Sequence, residues 1–405
     1  MKITENPNEK IPEIYRKLRS KMEGIGVGIG PETSDGAGYK FLMTIFTEEE
    51  ADLYVKLSYQ WETAADFAKR NNMDPEEAEK KLYAASKRRG AIYRKKMPNG
   101  TYMYQPAARG IGVWEWAVPI MEHEWVSDFF DEGGQEPNYV YHADNPYPLF
   151  RTMPISKDVL AEGETLMEYD DIERYVRNAS CRNVWTCACT EAMRKGGMPA
   201  ADGSGYIPYD EVENYHPLET CLALNDMAEF YTENGWGHEL TVDECLAHVR
   251  DMLDNYGFIA NVYNSKKAEC ICFCNPKVCM FLGTRFAEPN QRFLNNYIVR
   301  RDNSKCTNCG NCFDACHLHL IKLDDNGRSA TDLSYCTGCG QCVRKCPNEA
   351  IKIYQKEDGW MIPPDDMTMN QDLQVLWGNR TRKLDPLAPN LSEAFDQYAG
   401  TNVAK

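Results

Sequence analysis

The chain has 405 residues, which predicts about two to three domains. Its 45 lysines and arginines stand against 61 aspartates and glutamates, a formal net charge of −16. So acidic a molecule repels phosphate backbones and anionic membranes, which disfavours nucleic acid as a partner. The sequence contains no run of about 18 apolar residues and no secretory pattern, so we expect no membrane span and a cytoplasmic protein. In that compartment the 17 cysteines indicate metal or redox chemistry rather than disulfides, and so many sulfurs suggest an anaerobic setting.

Residues 1–39 are predicted to form a short helix and a glycine-rich linker. The linker sequence GIGVGIGPETSDGAG, residues 24–38, lacks the G-x-G-x-x-G spacing after a strand and has no P-loop lysine behind it. It therefore predicts a flexible connector rather than a nucleotide site.

Residues 40–120 show helices followed by a hairpin, an order that resembles a winged helix-turn-helix. Thr47 and Glu50 match a capping box, because each side chain can satisfy a free backbone amide at a helix start. Asp74 before Pro75 predicts the start of a later helix. Asn99-Gly100 between alternating residues predicts the turn of the hairpin.

The charge of this winged-helix-like segment gives two opposing indications about DNA. Between Trp61 and Gly110 there are eleven lysines and arginines against six acids, which favours DNA binding. A recognition helix, however, presents its first turns to the groove, and here those turns carry acids that would face phosphates: Asp74, Glu76, Glu77 and Glu79. We therefore expect a docking or scaffolding module rather than a DNA-binding domain.

The most specific pattern lies near the C-terminus. Residues 306–316, CTNCGNCFDAC, and 336–346, CTGCGQCVRKC, both read C-x-x-C-x-x-C-x-x-x-C and lie about thirty residues apart. A 4Fe-4S cluster requires four converging thiolates, of which three can come from one tight loop and the fourth must come from elsewhere. Zinc sites prefer two C-x-x-C pairs, so eight cysteines at these steps argue against zinc in this region.

Over residues 298–355 the chain resembles the bacterial-type dicluster ferredoxins. The resemblance implies that the fourth cysteine of each run serves the other cluster. It assigns cluster 1 to Cys306, Cys309, Cys312 and Cys346, and cluster 2 to Cys336, Cys339, Cys342 and Cys316. Gly310, Gly338 and Gly340 are expected to let backbone amides approach sulfur. The family usually has Cys-Pro where this chain has Cys316-His317, so the first loop is expected to differ.

Eight further cysteines form groups between residues 121 and 297: Cys181, Cys187, Cys189, Cys221, Cys270, Cys272, Cys274 and Cys279. Their order resembles the central domain of multidomain 4Fe-4S proteins of anaerobic bacteria. Those proteins place a winged-helix-like region before this domain and a dicluster ferredoxin after it, so the resemblance covers about residues 38–355. In relatives the last peptide is denser in cysteine, whereas here Phe273, Asn275 and Pro276 interrupt it. The number of ligands is therefore left open.

The spacing of the last peptide suggests how its cysteines could converge. In an extended segment Cys270, Cys272 and Cys274 share one face, because side chains alternate, and a turn at Asn275-Pro276 would bring Cys279 round to them. Three cysteines could approach from the other side: Cys181, Cys189 and Cys221. We expect at least one additional iron–sulfur cluster here, with zinc as the alternative, since sulfur ligands suit both. Cys245 lies on a helix with apolar periodicity and is expected to be a buried small hydrophobe.

Together these sequence patterns predict an α+β multidomain protein. A winged-helix-like N-terminal domain (40–120) precedes a cysteine-rich, mostly helical central domain (121–297), a ferredoxin-like dicluster domain (298–355) and a C-terminal tail (356–405). No flavin, nicotinamide or molybdopterin motif is present, so the predicted function is a non-catalytic relay of low-potential electrons to a separate oxidoreductase partner. Two alternatives remain open: a redox-responsive transcriptional regulator that uses the winged helix, and a reductase with an open cluster site in the central domain. Whether the chain oligomerises is also open.

Overall fold

The structure is a computed structural model. It describes residues 10–23, 37–88, 91–122, 126, 150–196, 217–263, 266–274, 278–279, 293–325, 327, 329–331, 333 and 336–357. Most of the predicted glycine-rich linker (24–36) and nearly all of the predicted C-terminal tail lie outside these residues, whereas the last two residues of the linker begin a helix, Ala37–Ile45. Within the described ranges, no helix combines the length and the apolar character needed to cross a bilayer.

The N-terminal region consists of helices followed by a hairpin. Its elements are α1 (Glu13–Glu23), α2 (Ala37–Ile45), α3 (Glu48–Lys56), β1 (Glu62–Thr63), α4 (Ala64–Asn71), α5 (Pro75–Arg88), β2 (Ile92–Lys96) and β3 (Tyr102–Pro106). The three strands form an antiparallel sheet in the order β1-β3-β2.

Local sequence signals explain where these elements begin and turn. The capping box before α3 forms, because the Glu50 amide donates to Thr47 Oγ1 and the Thr47 amide donates to Glu50 Oε2. Asp74 caps α5 through a 2.9 Å hydrogen bond from the Glu77 amide. The β2–β3 hairpin turns at Asn99-Gly100. These local predictions are confirmed, whereas the identification of the region as a winged helix stays a prediction.

The central region mixes helices and strands. Its elements are α6 (Trp114–Trp116), β4 (Phe150–Thr152), α7 (Ile172–Asn178), β5 (Arg182–Thr186), α8 (Ala188–Gly196), β6 (Glu219–Leu224), α9 (Asn225–Asn234), β7 (His238–Glu239), α10 (Val242–Arg250), β8 (Ile259–Tyr263), β9 (Cys270–Cys274) and β10 (Phe293–Leu294). Short π turns cover Arg109–Val113 and Asp251–Asn255, and 3-10 turns cover Val118–Ile120, Lys157–Val159 and Glu168–Asp170.

The expectation of a mostly helical central domain was wrong. Seven strands of the described chain form one sheet in the order β10-β4-β8-β9-β6-β5-β7. The β10–β4 pair is parallel and the other pairs are antiparallel. The strands were hard to recognise because they are short, and because a strand covered on both faces lacks the apolar–polar alternation that marks a half-exposed one.

The two faces of this sheet belong to two different hydrophobic cores. On β6 and β9, Cys221, Ala223 and Cys270 pack into the core that contains the N-terminal helices. The alternate residues Leu222 and Ile271 pack into a second core with α7, α10 and the C-terminal region. Because successive side chains of a strand point to opposite faces, the cysteines all face the N-terminal region.

The C-terminal region is built from short strands and very short helices. It contains β11 (Tyr297–Arg301), α11 (Asn311–Ala315), β12 (Ile321–Leu323), β13 (Ser329–Thr331), α12 (Gln341–Arg344) and β14 (Ile351–Gln355). β11 pairs with β14 and β12 pairs with β13, both antiparallel. β14 follows directly after the second cysteine run.

A buried ion pair connects the central sheet to the C-terminal region. Arg151 of β4 donates from Nε to Asp170 Oδ1 at 2.6 Å, and both side chains are fully buried. Asn296, just before β11, donates to the other carboxylate oxygen at 3.2 Å. A buried charge is tolerated only when it is paired and hydrogen-bonded, so these contacts hold the start of β11 in place on the sheet.

Candidate metal centres

One cavity in front of the central sheet is lined by cysteines from three segments of the chain. These cysteines are Cys187, Cys189, Cys221, Cys272, Cys274 and Cys279. The first two lie at the start of α8, Cys221 lies on β6, and the others lie on β9 and just after it. We call this space the central cavity.

Strand register places the cysteines of β6 and β9 side by side. Cys221 and Cys272 are cross-strand partners, and Cys270 pairs with Ala223. The Sγ atoms of Cys221 and Cys270 lie 3.7 Å apart, and those of Cys270 and Cys272 lie 4.0 Å apart. Cys270 therefore lies directly beside the cysteines that line the cavity.

Two other cysteines of the region lie elsewhere. Cys181 directly precedes β5, and its thiol lies near Thr232 and Glu239. The central cavity lies at the other end of β5, so the structure does not bring Cys181 to it. Cys245 is completely buried in the second core. Cys245 thus behaves as the small buried hydrophobe that its helical pattern predicted.

The thiols of the central cavity are held in their protonated form by their surroundings. The Cys270 thiol and burial raise the pKa of Cys272 well above its ordinary value. The Cys189 thiol and burial do the same to the pKa of Cys187. A metal cation reverses this preference, because it binds thiolates and releases their protons. The donor set suits an iron–sulfur cluster or zinc, although no three His, Cys, Asp or Glu side chains of the described residues converge on a single-ion site.

Glu115, which the sequence analysis missed, also lines the central cavity. It lies on α6 and is buried. Burial raises the pKa of Glu115 to about 7, against the opposing effect of a hydrogen bond from the Gly112 amide at 2.7 Å. The sequence feature that could have predicted this buried carboxylate is the position of Glu115 between two tryptophans in the apolar stretch VWEWAVPIM.

Asn261 is a second polar group on the cysteine face that the sequence analysis missed. It is the β8 partner of Cys272, and only 1% of it is exposed. Its Oδ1 accepts a 2.7 Å hydrogen bond from Thr152 Oγ1. Its Nδ2 has no hydrogen-bond partner of ordinary geometry among the described residues, although the amide lies close enough to Cys274 to favour that thiolate. A donor in this position is available to sulfur at the cavity.

In the C-terminal region, the four cysteines assigned to cluster 2 surround one apolar cavity: Cys316, Cys336, Cys339 and Cys342. Burial raises the pKa of Cys339 to about 12. The Gly338 amide donates to Cys336 Sγ at 3.4 Å. Four thiols around one space are the donor set that a 4Fe-4S cluster requires.

The cysteines assigned to cluster 1 lie nearer the surface. Burial raises the pKa of Cys312, and the neighbouring Cys306 and Cys346 contribute in the same direction. The Ala350 amide donates to Cys346 Sγ at 3.3 Å. Cys309 is exposed. The structure thus brings a cysteine of the second run to the first run, as the resemblance implies.

Glycines shape the two cysteine loops. Gly310 and Gly340 have φ of 85° and 92° and precede the helices that carry Cys312 and Cys342. Gly338 has φ of 67°, and a Cβ on it would lie 2.7 Å from the Tyr297 carbonyl oxygen. Only glycine fits such a position without strain.

The departure at His317 has a structural counterpart. A Cβ on Gly257, two residues before β8, would lie 3.0 Å from His317 Nε2. The side chain that replaces the usual proline therefore contacts the turn before β8 and helps join the C-terminal region to the sheet.

Comparison with protein families supports the C-terminal assignment. The model of a family described as a 4Fe-4S dicluster domain matches residues 298–347. No curated protein and no solved structure is significantly similar to the chain. The C-terminal region is therefore a 4Fe-4S dicluster domain of the ferredoxin type, which supports a general role in iron–sulfur electron transfer.

Proposed function

We propose that this chain relays low-potential electrons through three centres to a separate oxidoreductase. The centres are cluster 1, cluster 2 and an additional iron–sulfur cluster held by cysteines of the central cavity. When bound, these clusters supply one-electron chemistry at sulfur-ligated iron. The residues of the chain bind them, set their spacing and exclude water.

The observation that carries this proposal is the position of β8 between two cysteine sites. Phe258 lines the central cavity, and the next residue, Ile259, lines the cavity of cluster 2. Ile259 is also the cross-strand partner of Cys274. Consecutive Cα atoms are about 3.8 Å apart, so a single residue step separates the linings of the two sites. Such proximity favours electron exchange between them.

Hydrogen bonds connect the second cysteine run, which would hold cluster 2, to the central region. Gln341, next to Cys342, donates from Nε2 to the carbonyl oxygens of Leu253 and Phe258, both at 2.8 Å. The Ile155 amide donates to the Cys339 carbonyl oxygen at 2.9 Å. A relay needs constant spacing between its centres, and these contacts provide it.

The N-terminal region is better suited to docking than to DNA binding. Arg94 of β2 is 1% exposed and pairs with Glu233 of α9 at 3.1 Å. Tyr102 of β3 donates to the same carboxylate at 3.0 Å. Lys81 of α5 pairs with Glu49 and Glu77. Arg94 of the hairpin and Lys81 of the predicted recognition helix are thus engaged within the chain, which supports a scaffolding role.

The test is the metal content of full-length variants purified anaerobically. Cys274→Ser should lower the iron content while the EPR signals of the two C-terminal clusters persist, because only the central centre loses a ligand. Cys245→Ser, a buried cysteine in the second core, is the matched control and should leave iron unchanged. If Cys274→Ser retains every iron atom and every EPR signal, the central cavity holds no cluster through this peptide and the three-centre relay is wrong.

A further inference from the structure

Arg301 ends β11 beside the ligands of cluster 1. Its Nη2 lies 3.8 Å from Cys312 Sγ. Its Nε and Nη1 atoms are buried and have no hydrogen-bond partner among the described residues. The guanidinium is therefore directed at the sulfur of a cluster ligand and is engaged there through only one of its nitrogens.

Arg301 is partly exposed as a whole, but two of its guanidinium nitrogens are buried, and their desolvation is not repaid by an ion pair. Among the described residues no carboxylate pairs with Arg301, and the one contact of its guanidinium is the 3.8 Å approach of Nη2 to Cys312 Sγ. A 4Fe-4S cluster with four thiolate ligands carries net negative charge, and that charge helps to set its reduction potential. Cluster 1, when bound, places a negative charge beside this arginine, which pairs with no carboxylate of the described residues.

The neighbouring Arg300 shows what an ordinary arginine on this strand does. Its side chain points to the other face of β11, as strand alternation requires. It is half exposed, pairs with Glu357 at 3.0 Å and stacks over Tyr354. The two residues have the same charge and lie on the same strand, but only Arg301 approaches a cysteine ligand.

The described lining of the cluster 2 cavity carries no guanidinium like that of Arg301, and His317 is the one basic side chain there. The described residues around its cavity include no lysine and no arginine. Reduction adds one negative charge to a cluster, and a fixed buried cation stabilises the reduced form more than the oxidised one. The two clusters therefore experience different electrostatic environments.

We propose that Arg301 raises the reduction potential of cluster 1 above that of cluster 2, so that an electron in the dicluster domain resides mainly on cluster 1. Cluster 1 also includes the exposed Cys309. The electron is therefore held where a redox partner can reach it. The inference depends on the proposed relay only for the two C-terminal clusters and does not require the central centre.

The test is an EPR-monitored redox titration of the full-length protein, purified anaerobically, with Arg301→Gln and Arg300→Gln compared to the unaltered chain. Arg301→Gln should lower the higher of the two dicluster midpoints and leave the lower one in place. We expect a change of about tenfold in the reduction equilibrium, which is 59 mV for one electron. Arg300→Gln removes the same charge from the opposite face and should move neither midpoint.

Arg301→Lys keeps the charge but not the planar fork, and it should retain part of the higher potential. It also provides the comparison if Arg301→Gln fails to assemble cluster 1. Unchanged midpoints in Arg301→Gln, or an equal shift in Arg300→Gln, would overturn the inference and leave the relay standing. A full-length chain without any reducible cluster would overturn the relay itself.

Discussion

The two cysteine-rich regions of this chain place their sulfurs on different kinds of backbone. In the dicluster domain the cysteines lie on tight loops and one-turn helices, next to glycines with positive φ and to backbone amides that donate to sulfur. In the central region most cysteines lie on or beside the paired strands β6 and β9, and their relative positions follow from strand register.

This difference determines how much each site depends on distant parts of the chain. A loop of closely spaced cysteines presents three ligands by local geometry, so its metal chemistry can be read from spacing. Strand-borne cysteines converge only when the right strands pair in the right register. The central site should therefore be sensitive to the packing of the whole sheet, whereas the dicluster loops should be sensitive to local backbone changes.

The largest effect is expected from a single methyl group in a cysteine loop. Gly338→Ala requires a left-handed alanine, which costs about 1–2 kcal/mol, and places Cβ 2.7 Å from the Tyr297 carbonyl oxygen. The loop must shift, and we expect the loss of cluster 2, about four iron atoms per chain. Iron and sulfide analysis with EPR measures this loss.

Gly310→Ala is the matched control for the loop prediction. Gly310 also has positive φ, but no atom lies within 4 Å of an added Cβ. This variant should be destabilised only by the left-handed conformation of the alanine, without a steric clash, and should keep both clusters. Equal iron loss in the two alanine variants would show that backbone conformation, and not the close approach of β11, makes glycine necessary.

A smaller effect is expected where the two regions meet. Gln341→Leu leaves the carbonyl oxygens of Leu253 and Phe258 without their shared donor, a loss of about 1–3 kcal/mol. We expect a lower urea midpoint and slower electron exchange between cluster 2 and the central centre. Asn348→Ala, which removes an exposed amide that donates to Thr307, should change neither quantity. An unchanged midpoint and rate in Gln341→Leu would show that these hydrogen bonds do not hold the two sites together.

The smallest effect is expected when DNA is added to the protein. The chain carries a net charge of −16, and Lys81 and Arg94 are paired within the protein, so we expect no sequence-selective DNA binding. A gel shift at several salt concentrations measures it. A salt-dependent, selective complex of nanomolar affinity would instead support the regulator alternative.

Local features of the fold could be predicted and the long-range arrangement could not. The capping box at Thr47, the hairpin at Asn99-Gly100 and the two cysteine runs depend on residues a few positions apart. The seven-stranded sheet depends on pairings such as β10 with β4, between segments far apart in sequence, for which no local signal exists. The same limit applies to Glu115, which lines the central cavity, and to Asn261, which lies opposite Cys272, because both positions depend on how the strands and helices pack.

The proposed three-centre relay requires a third iron–sulfur centre in the central cavity. Quantifying iron, acid-labile sulfide and zinc in the full-length protein, purified without oxygen, tests this claim most directly. Three 4Fe-4S clusters predict about twelve iron atoms and twelve sulfides per chain, without stoichiometric zinc. About eight iron atoms together with one zinc would contradict the account, because the central cysteines would then form a structural zinc site and electron transfer would be confined to the dicluster domain.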